Sequence, residues 1–160
     1  MLVLSIDQST TCSGYCIFYF DEKFKSHKIV EYGRCKPKGS VDNRISETWN
    51  FFETMIGDYK PSLILLEDVY CSTNKNTFKN LSRLLGGLEE LVNTKGVEVK
   101  VIAPSEWRKL FNIPPKTKRN DLKKLSKNYV LENFGLSVID DVADSVCIGY
   151  YWYLKERGEI

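Results

Sequence analysis

The sequence has very little histidine and no cysteine arrangement typical of a metal or disulfide framework. His27 is the single histidine, and the five cysteines are scattered and contain no Cys-x-x-Cys pair. Zinc sites and disulfide scaffolds need such pairs or Cys/His clusters, so both are disfavoured. Packed free thiols are predicted instead, and His27 is predicted to lie at the surface between two lysine-rich turns.

Long hydrophobic runs are also missing. No window approaches the ~18 uninterrupted apolar residues of a membrane span. The opening stretch MLVLSIDQS has no basic segment and reaches Asp7 before a signal-peptide core could form. We therefore expect a soluble, cytoplasmic chain with no membrane partner. Its 160 residues, without repeats or long linkers, predict one domain over 1–160.

Charge is nearly balanced over the chain but unevenly distributed. The net charge is +2, yet residues 108–127 contain eight Lys or Arg against one acid, Asp121. Such a stretch is either a solvated helix face or a surface for a polyanion. Composition alone favours the solvated face.

The first 35 residues predict three antiparallel strands. An apolar run at 2–6 ends in Asp7, the turn chemistry Gln-Ser-Thr-Thr follows, and further strands are predicted at 14–20 and 28–35. Apolar residues then recur at helical spacing between 43 and 58.

Helices and strands alternate in the rest of the chain. Residues 62–69 (SLILLEDV) predict a central strand buried on both faces, followed by a helix at 75–94 and a parallel strand at 97–103. Pro104 opens a short helix. Thr117 is predicted to cap a basic helix that ends at Gly135. A terminal helix starts at Asp140 or Asp141. The predicted fold class is α/β, with three antiparallel then two parallel strands in a mixed five-stranded sheet flanked by helices, as in the RNase H-like fold.

Four carboxylates from distant segments are predicted to converge. Asp7 and Glu67 each close a strand, and Asp141 and Asp144 share one helix face at i, i+3. Asp140 also shares that face, so spacing does not choose between Asp140 and Asp141. The bland alternatives are that Asp7 closes a turn and that the helical aspartates favour a helix N-terminus. Glu67, directly after a buried strand, is harder to explain in that way.

A convergent acidic cluster suits hard divalent cations, because carboxylates repel one another unless cations neutralise them. Magnesium is the predicted occupant. Two such ions about 3.5–4 Å apart can activate water and stabilise the leaving oxygen in phosphoryl displacement.

Three segments resemble the RuvC-type Holliday-junction resolvases. IDQSTTCSGYCIF is similar to their first hairpin, LLEDVY to their second acidic strand, and DDVADSVCIGYY to their terminal D-x-x-D helix. Their order and separations match along nearly the whole chain. The resemblance implies that Asp7, Glu67, Asp141 and Asp144 bind two Mg²⁺ ions, for which Mn²⁺ can substitute, and it favours Asp141 over Asp140. It also implies a homodimer that cuts branched DNA, one strand of a four-way junction per subunit.

The same resemblance assigns DNA contacts. Tyr70 matches a position where the family carries an aromatic side chain near the branch point, which is suited to base stacking. Lys116, Lys118 and Arg119 match basic residues that contact the scissile backbone, with Lys118 as the predicted catalytic lysine. Lys75, Lys79 and Arg83 extend that surface.

Two segments depart from the cellular bacterial pattern. Gln8-Ser9-Thr10 replaces a Pro-Gly-Ser type of turn, and APSEWRKLF precedes the basic helix. Both resemble the phage-encoded branch, for which the host cytoplasm is the expected location. Such an enzyme could also act on flaps, forks and other replication intermediates.

Three other functions compete with branched-DNA cleavage as explanations of these motifs. IDQSTTCSG also resembles the phosphate loop of actin-like kinases, but those enzymes need two lobes. A nucleic-acid-binding module without chemistry is disfavoured because all four acids are present. Another RNase H-like nuclease, acting on RNA:DNA hybrids or on precursor ribosomal RNA, remains the main alternative.

Overall fold

The computed structural model describes residues 1–21, 23, 25–70, 74–111, 113, 114 and 117–160, apart from the side chain of Arg119. Its centre is a five-stranded sheet with the strand order β3-β2-β1-β4-β5. The strands are β1 Leu2–Asp7, β2 Ser13–Phe20, β3 His27–Cys35, β4 Leu63–Glu67 and β5 Glu98–Ile102. β1, β2 and β3 are antiparallel, whereas β4 pairs in parallel with both β1 and β5. The predicted mixed sheet is confirmed.

Among the described residues, five helices flank this sheet. They are α1 Val41–Tyr59, α2 Lys75–Thr94, α3 Pro104–Trp107, α4 Arg119–Phe134 and α5 Asp140–Glu156, and one 3-10 turn, Arg108–Leu110, follows α3. Within the described ranges, no helix combines the length and apolar character that crossing a bilayer requires.

The two faces of the sheet support separate apolar cores. Successive strand residues point to opposite faces of the sheet. Because both faces are covered, all four residues 63–66 of β4 are buried. Leu63 and Leu65 pack with α5 and Trp107, whereas Ile64 and Leu66 pack with α1 and α2. This double burial explains the uninterrupted apolar run in β4 and leaves Glu67 where the strand emerges.

The start of α4 differs from the prediction. Lys118, not Thr117, is the residue that precedes the helix, and the Thr117 hydroxyl donates to the carbonyl of Pro114 at 2.6 Å. The preceding turn therefore uses the hydroxyl that was expected to cap the helix. The predicted end is confirmed, because Gly135 follows the helix with a left-handed φ of 68° that glycine tolerates.

The predicted surface position of His27 is wrong. Its ring is half-buried among aromatic side chains, with its centroid 4.8 Å from that of Tyr153 and 5.2 Å from that of Tyr150. Burial and the nearby Arg157 guanidinium lower the pKa of His27. It is a packing residue far along the sheet from the carboxylates.

Candidate active site

Asp7 and Glu67 lie side by side at the carboxyl ends of two parallel strands. The β1–β4 register pairs Ile6 with Leu66, so the next residue on each strand is an acid. The two side chains influence each other, and the neighbouring Glu67 adds to the effect of burial in raising the pKa of Asp7. The strand alignment alone thus brings two of the four predicted carboxylates together.

Helix α5 supplies the other two. It begins at Asp140, and its first turn lies directly against the start of β2: a Cβ built on Gly14 would be 1.9 Å from the carbonyl oxygen of Asp141. At i, i+3, Asp141 and Asp144 project from the same side of the helix. The hydroxyl of Ser5 in β1 donates to the carbonyl of Ser145 at 2.7 Å and fixes the helix against the sheet.

All four predicted carboxylates line one cavity of about 170 Å³. Asp68 is not among the lining residues: its carboxylate accepts the main-chain N–H of Val69 at 2.7 Å on the exposed side of the strand. The cavity combines acids, two cations and apolar walls, and its lining residues are Asp7, Gln8, Glu67, Leu81, Trp107, Arg108, Leu122, Lys123, Asp141 and Asp144.

The structure distinguishes Asp140 from Asp141 as candidate metal ligands, which the sequence spacing alone did not. The Lys123 ammonium forms an ion pair with the Asp140 carboxylate, and this contact lowers the pKa of Asp140. Asp140 does not line the acidic cavity, whereas Asp141 does. The cavity therefore favours Asp141 as the ligand.

Burial and mutual repulsion make the carboxylates hard to ionise together. Burial, then the charges of Glu67, Asp144 and Asp141, raises the pKa of Asp7 well above its ordinary 3.8. Burial also raises the pKa of Asp144 to about 7, an effect that Glu67 reinforces. These are the shifts expected when several like charges share a partly enclosed space.

Side chains that were not predicted as site residues also act on this cluster, among them Trp107, Arg108 and Gln8. Burial raises the pKa of Glu67, but the indole N–H of Trp107 and the charge of Arg108 oppose that rise. Arg108 also opposes the rise of the Asp144 pKa. Gln8 uses its amide to bond both main-chain groups of Glu67. Two features of the sequence could have indicated these residues. One is a tryptophan, a residue type that is usually buried, between Glu106 and Arg108, and the other is the glutamine directly after Asp7.

The donor set fits a hard divalent cation by its chemistry. Four carboxylates line the cavity, and oxygen ligands of this kind are those that magnesium prefers. Across the part of the chain that the structure describes, no three His, Cys, Asp or Glu side chains already converge as the ligands of one ion. Burial and the neighbouring carboxylates instead raise the pKa of Asp7. A bound cation would relieve that repulsion.

None of the predicted DNA-contacting residues that the structure describes lines the cavity. Tyr70 is 79% exposed just after β4, and Lys118 is exposed at the start of α4. Lys75, Lys79 and Arg83 are exposed on the first half of α2, where Arg83 pairs with Asp42 at 2.8 Å. Lys116 and the side chain of Arg119 lie outside the described residues.

The raised pKa of Asp144 predicts a pH dependence of stability in metal-free protein. The folded chain binds a proton at Asp144 up to about pH 7, whereas the unfolded chain releases it near 3.8. The free energy of unfolding must therefore fall as the pH rises between these values. Asp144→Asn removes this loss, so its melting temperature in EDTA should exceed that of wild type by more at pH 7.5 than at pH 5. A difference that does not change with pH would contradict the burial of this charge.

A mixed sheet in this strand order, with carboxylates at the ends of β1 and β4 and on the terminal helix, defines the class of RNase H-like folds with an acidic site. No family model matches the chain. The chain does, however, have sequence relatives. A crossover junction endodeoxyribonuclease RuvC of Pelodictyon phaeoclathratiforme is 26% identical over 106 residues, 66% of this chain and 56% of the relative. The protein of the same name from Rickettsia conorii is 20% identical over 150 residues, 94% of this chain and 95% of the relative.

A solved structure with the same name as these relatives is similar to this chain. The Thermus thermophilus RuvC in complex with a Holliday junction substrate superimposes with a TM-score of 0.77, at 14% identity, over 99% of this chain and 98% of that one. The chain thus has the RNase H-like fold of the RuvC resolvases. It spans about half the length of the Pelodictyon relative but nearly the full length of the Rickettsia relative. These relatives and this structural neighbour are all named RuvC, and the chain is similar to them in sequence and in fold.

Proposed function

We propose that this chain is a metal-dependent endonuclease that cuts Holliday junctions and other branched DNA. The observation that carries the proposal is the single cavity lined by Asp7, Glu67, Asp141 and Asp144, which three separate elements bring together. The names of the sequence relatives, and the junction bound by the Thermus neighbour, support branched DNA as the substrate.

The four carboxylates would hold two Mg²⁺ ions, with Mn²⁺ as a substitute. When bound, such ions activate a water molecule and stabilise the leaving oxygen of the phosphodiester. Other residues of the cavity would bind the substrate and limit the access of water. Arg108 lines the cavity beside Glu67 and Asp144, where its guanidinium can bind a phosphate oxygen. Trp107 and Leu122 form apolar walls that limit the access of bulk water.

The proposed substrate surface extends from the cavity along two helices. α2 presents Lys75, Lys79 and Arg83, and exposed Lys118 directly precedes α4. Lys116 and the side chain of Arg119 lie outside the described residues and are included only by the resemblance to the family. Exposed Tyr70 lies near the start of α2 and is suited to stack on a base at the branch point. By its resemblance to the family, the chain would act as a homodimer in which each subunit cuts one strand. The proposal that the chain belongs to the phage-encoded branch rests on the segments Gln8-Ser9-Thr10 and APSEWRKLF, which resemble that branch.

Phosphate contacts make DNA binding steeply salt-dependent, because each neutralised phosphate releases counterions. Lys118→Ala should therefore weaken junction binding and reduce the slope of log K against log[salt] by about 1. It should also slow cleavage. Binding is measured by fluorescence anisotropy in EDTA between 50 and 200 mM salt, about the range over which such contacts are diagnostic.

The matched control is Lys95→Ala, at the far end of α2, where the ammonium pairs with Glu53 at 2.6 Å. That variant should keep the wild-type slope and cutting rate. Equal slopes for wild type and Lys118→Ala would refute a phosphate contact at Lys118.

A panel of substrates tests the proposed selectivity. End-labelled four-way junction, flap, linear duplex and RNA:DNA hybrid are each incubated with excess protein, with Mg²⁺ or EDTA. Symmetric paired nicks in the junction would support a dimeric resolvase, and equal cutting of the flap would broaden the substrate to branched DNA generally. Cutting of the hybrid alone would refute the proposal in favour of a ribonuclease, because such enzymes recognise the 2′-hydroxyl and the A-form shape.

A further inference from the structure

The main chain of Glu67 is held by a side chain from the neighbouring strand. The Oε1 atom of Gln8 accepts the N–H of Glu67 at 3.2 Å, and its Nε2 donates to the carbonyl of the same residue. Gln8 is 6% exposed and follows Asp7 directly. Its amide thus continues the β1–β4 hydrogen bonding beyond the last paired residues, Ile6 and Leu66.

The carboxylate of Glu67 is held from the other side. The indole Nε1–H of Trp107 donates to Oε1 of Glu67 at 2.8 Å. Trp107 is 1% exposed, and the ring of Phe111 meets it edge-on at a centroid distance of 5.9 Å. The guanidinium of Arg108 lies 5.0 Å from the centre of the indole on one face. Burial and these contacts restrain the ring and therefore the direction of its N–H.

We propose that Trp107 is a positioning residue that orients the Glu67 carboxylate for ion binding, while Gln8 fixes the backbone beneath it. This role rests on the proposed function, since it gives the carboxylate an ion to hold. An indole N–H donates and never accepts, so it binds the ionised carboxylate through one oxygen and leaves the other for a cation. Partners of this kind tune metal affinity by restraining the ligand.

Trp107→Phe tests the inference, because phenylalanine retains an aromatic ring but has no donor. Its matched control is Trp49→Phe. Trp49 donates its own indole N–H to the carbonyl of Leu84 at 3.2 Å, among residues that pack on the opposite face of the sheet. Both variants therefore lose one indole hydrogen bond, but Trp107→Phe alone loses a bond to a proposed ligand.

Two measurements are made on each protein: the rise in melting temperature with Mn²⁺ concentration, and the Mg²⁺ concentration for half-maximal junction cleavage. Trp107→Phe should need at least about tenfold more of either ion, the usual size of the effect when such a partner is removed. Cleavage at saturating Mg²⁺ should recover most of the wild-type rate. Trp49→Phe should match wild type in both ion dependences, although its melting temperature without metal is lower.

Unchanged ion dependences in Trp107→Phe would overturn the role of Trp107. If wild type itself shows neither cleavage nor a Mn²⁺-dependent rise that Glu67→Gln removes, the proposed function fails as well. If those wild-type responses are present while Trp107→Phe equals wild type, the inference about Trp107 fails alone.

A second readout uses wild-type protein and does not depend on the folding of the Trp107 variant. The three tryptophans give three indole N–H signals in a ¹⁵N-correlated NMR spectrum, and Trp49→Phe and Trp152→Phe assign them by elimination. Mg²⁺ should shift the Trp107 signal and leave that of Trp49 in place. A Trp107 signal that does not move at saturating Mg²⁺ would overturn the inference.

Discussion

Glu67→Gln is expected to lower the rate of junction cleavage by about 10³-fold or more while leaving DNA binding intact. A bound metal ion would contribute several kcal/mol of transition-state stabilisation, which the loss of a ligand weakens, and each 1.36 kcal/mol is worth about tenfold in rate. The amide oxygen of glutamine can still accept the Trp107 N–H, so the local packing is retained. Single-turnover cleavage in Mg²⁺ and junction affinity in EDTA measure the two quantities separately.

Asp68→Asn is the matched control, because it removes the neighbouring negative charge outside the cavity. The Asp68 side chain is on the exposed side of β4 and contacts the N–H of Val69. Its loss should change the cleavage rate by less than about threefold, the scale of an exposed charge interaction. An active Glu67→Gln enzyme, or an equally inactive Asp68→Asn enzyme, would show that the cavity does not carry the chemistry.

Gly14→Ala is expected to damage both stability and activity, although Gly14 carries no functional group. The added Cβ would lie 1.9 Å from the Asp141 carbonyl oxygen and 2.7 Å from the Val142 nitrogen, whereas real Cβ contacts essentially never fall below 3.0 Å. Because the added Cβ would clash with main-chain atoms of Asp141 and Val142, the first turn of α5 must move. Overpacking of this kind costs about 1–3 kcal/mol of stability. Displacing a ligand by about 1 Å can cost roughly 10²-fold in rate.

Gly57→Ala provides the comparison, since nothing lies within 4 Å of a Cβ at that position in α1. It should be neutral or should stabilise the protein by about 0.5–1 kcal/mol, because alanine is the better helix former. Chemical denaturation and single-turnover cleavage are measured for both variants. A Gly14→Ala protein with wild-type stability and rate would show that α5 does not need its close approach to β2 to place Asp141.

The sheet was predictable because its strands carry unambiguous patterns. The run from Leu63 to Leu66 needed cover on both faces, and the structure supplies a core on each. The meeting of Asp7 and Glu67 followed from the same reasoning, because parallel neighbours end at the same edge of a sheet. The terminal helix predicted to start at Asp140 or Asp141 is confirmed, because α5 begins at Asp140.

The remaining features depend on contacts that sequence patterns do not encode. The start of α4 was misplaced because the Thr117 hydroxyl bonds within the preceding turn. Lys123 and Arg108 counted only as members of a basic stretch, yet the fold brings both to the acidic cavity. The bond from Trp107 to Glu67 joins residues 40 positions apart, which no local periodicity reveals.

The decisive experiment is the nicking of a labelled four-way junction by wild-type protein in Mg²⁺ and in EDTA. Paired nicks in opposing strands are expected with Mg²⁺, should disappear with EDTA and should be absent for Glu67→Gln in either condition. Cleavage that persists in EDTA, or that survives the loss of Glu67, would contradict a metal-dependent nuclease built on this acidic cavity.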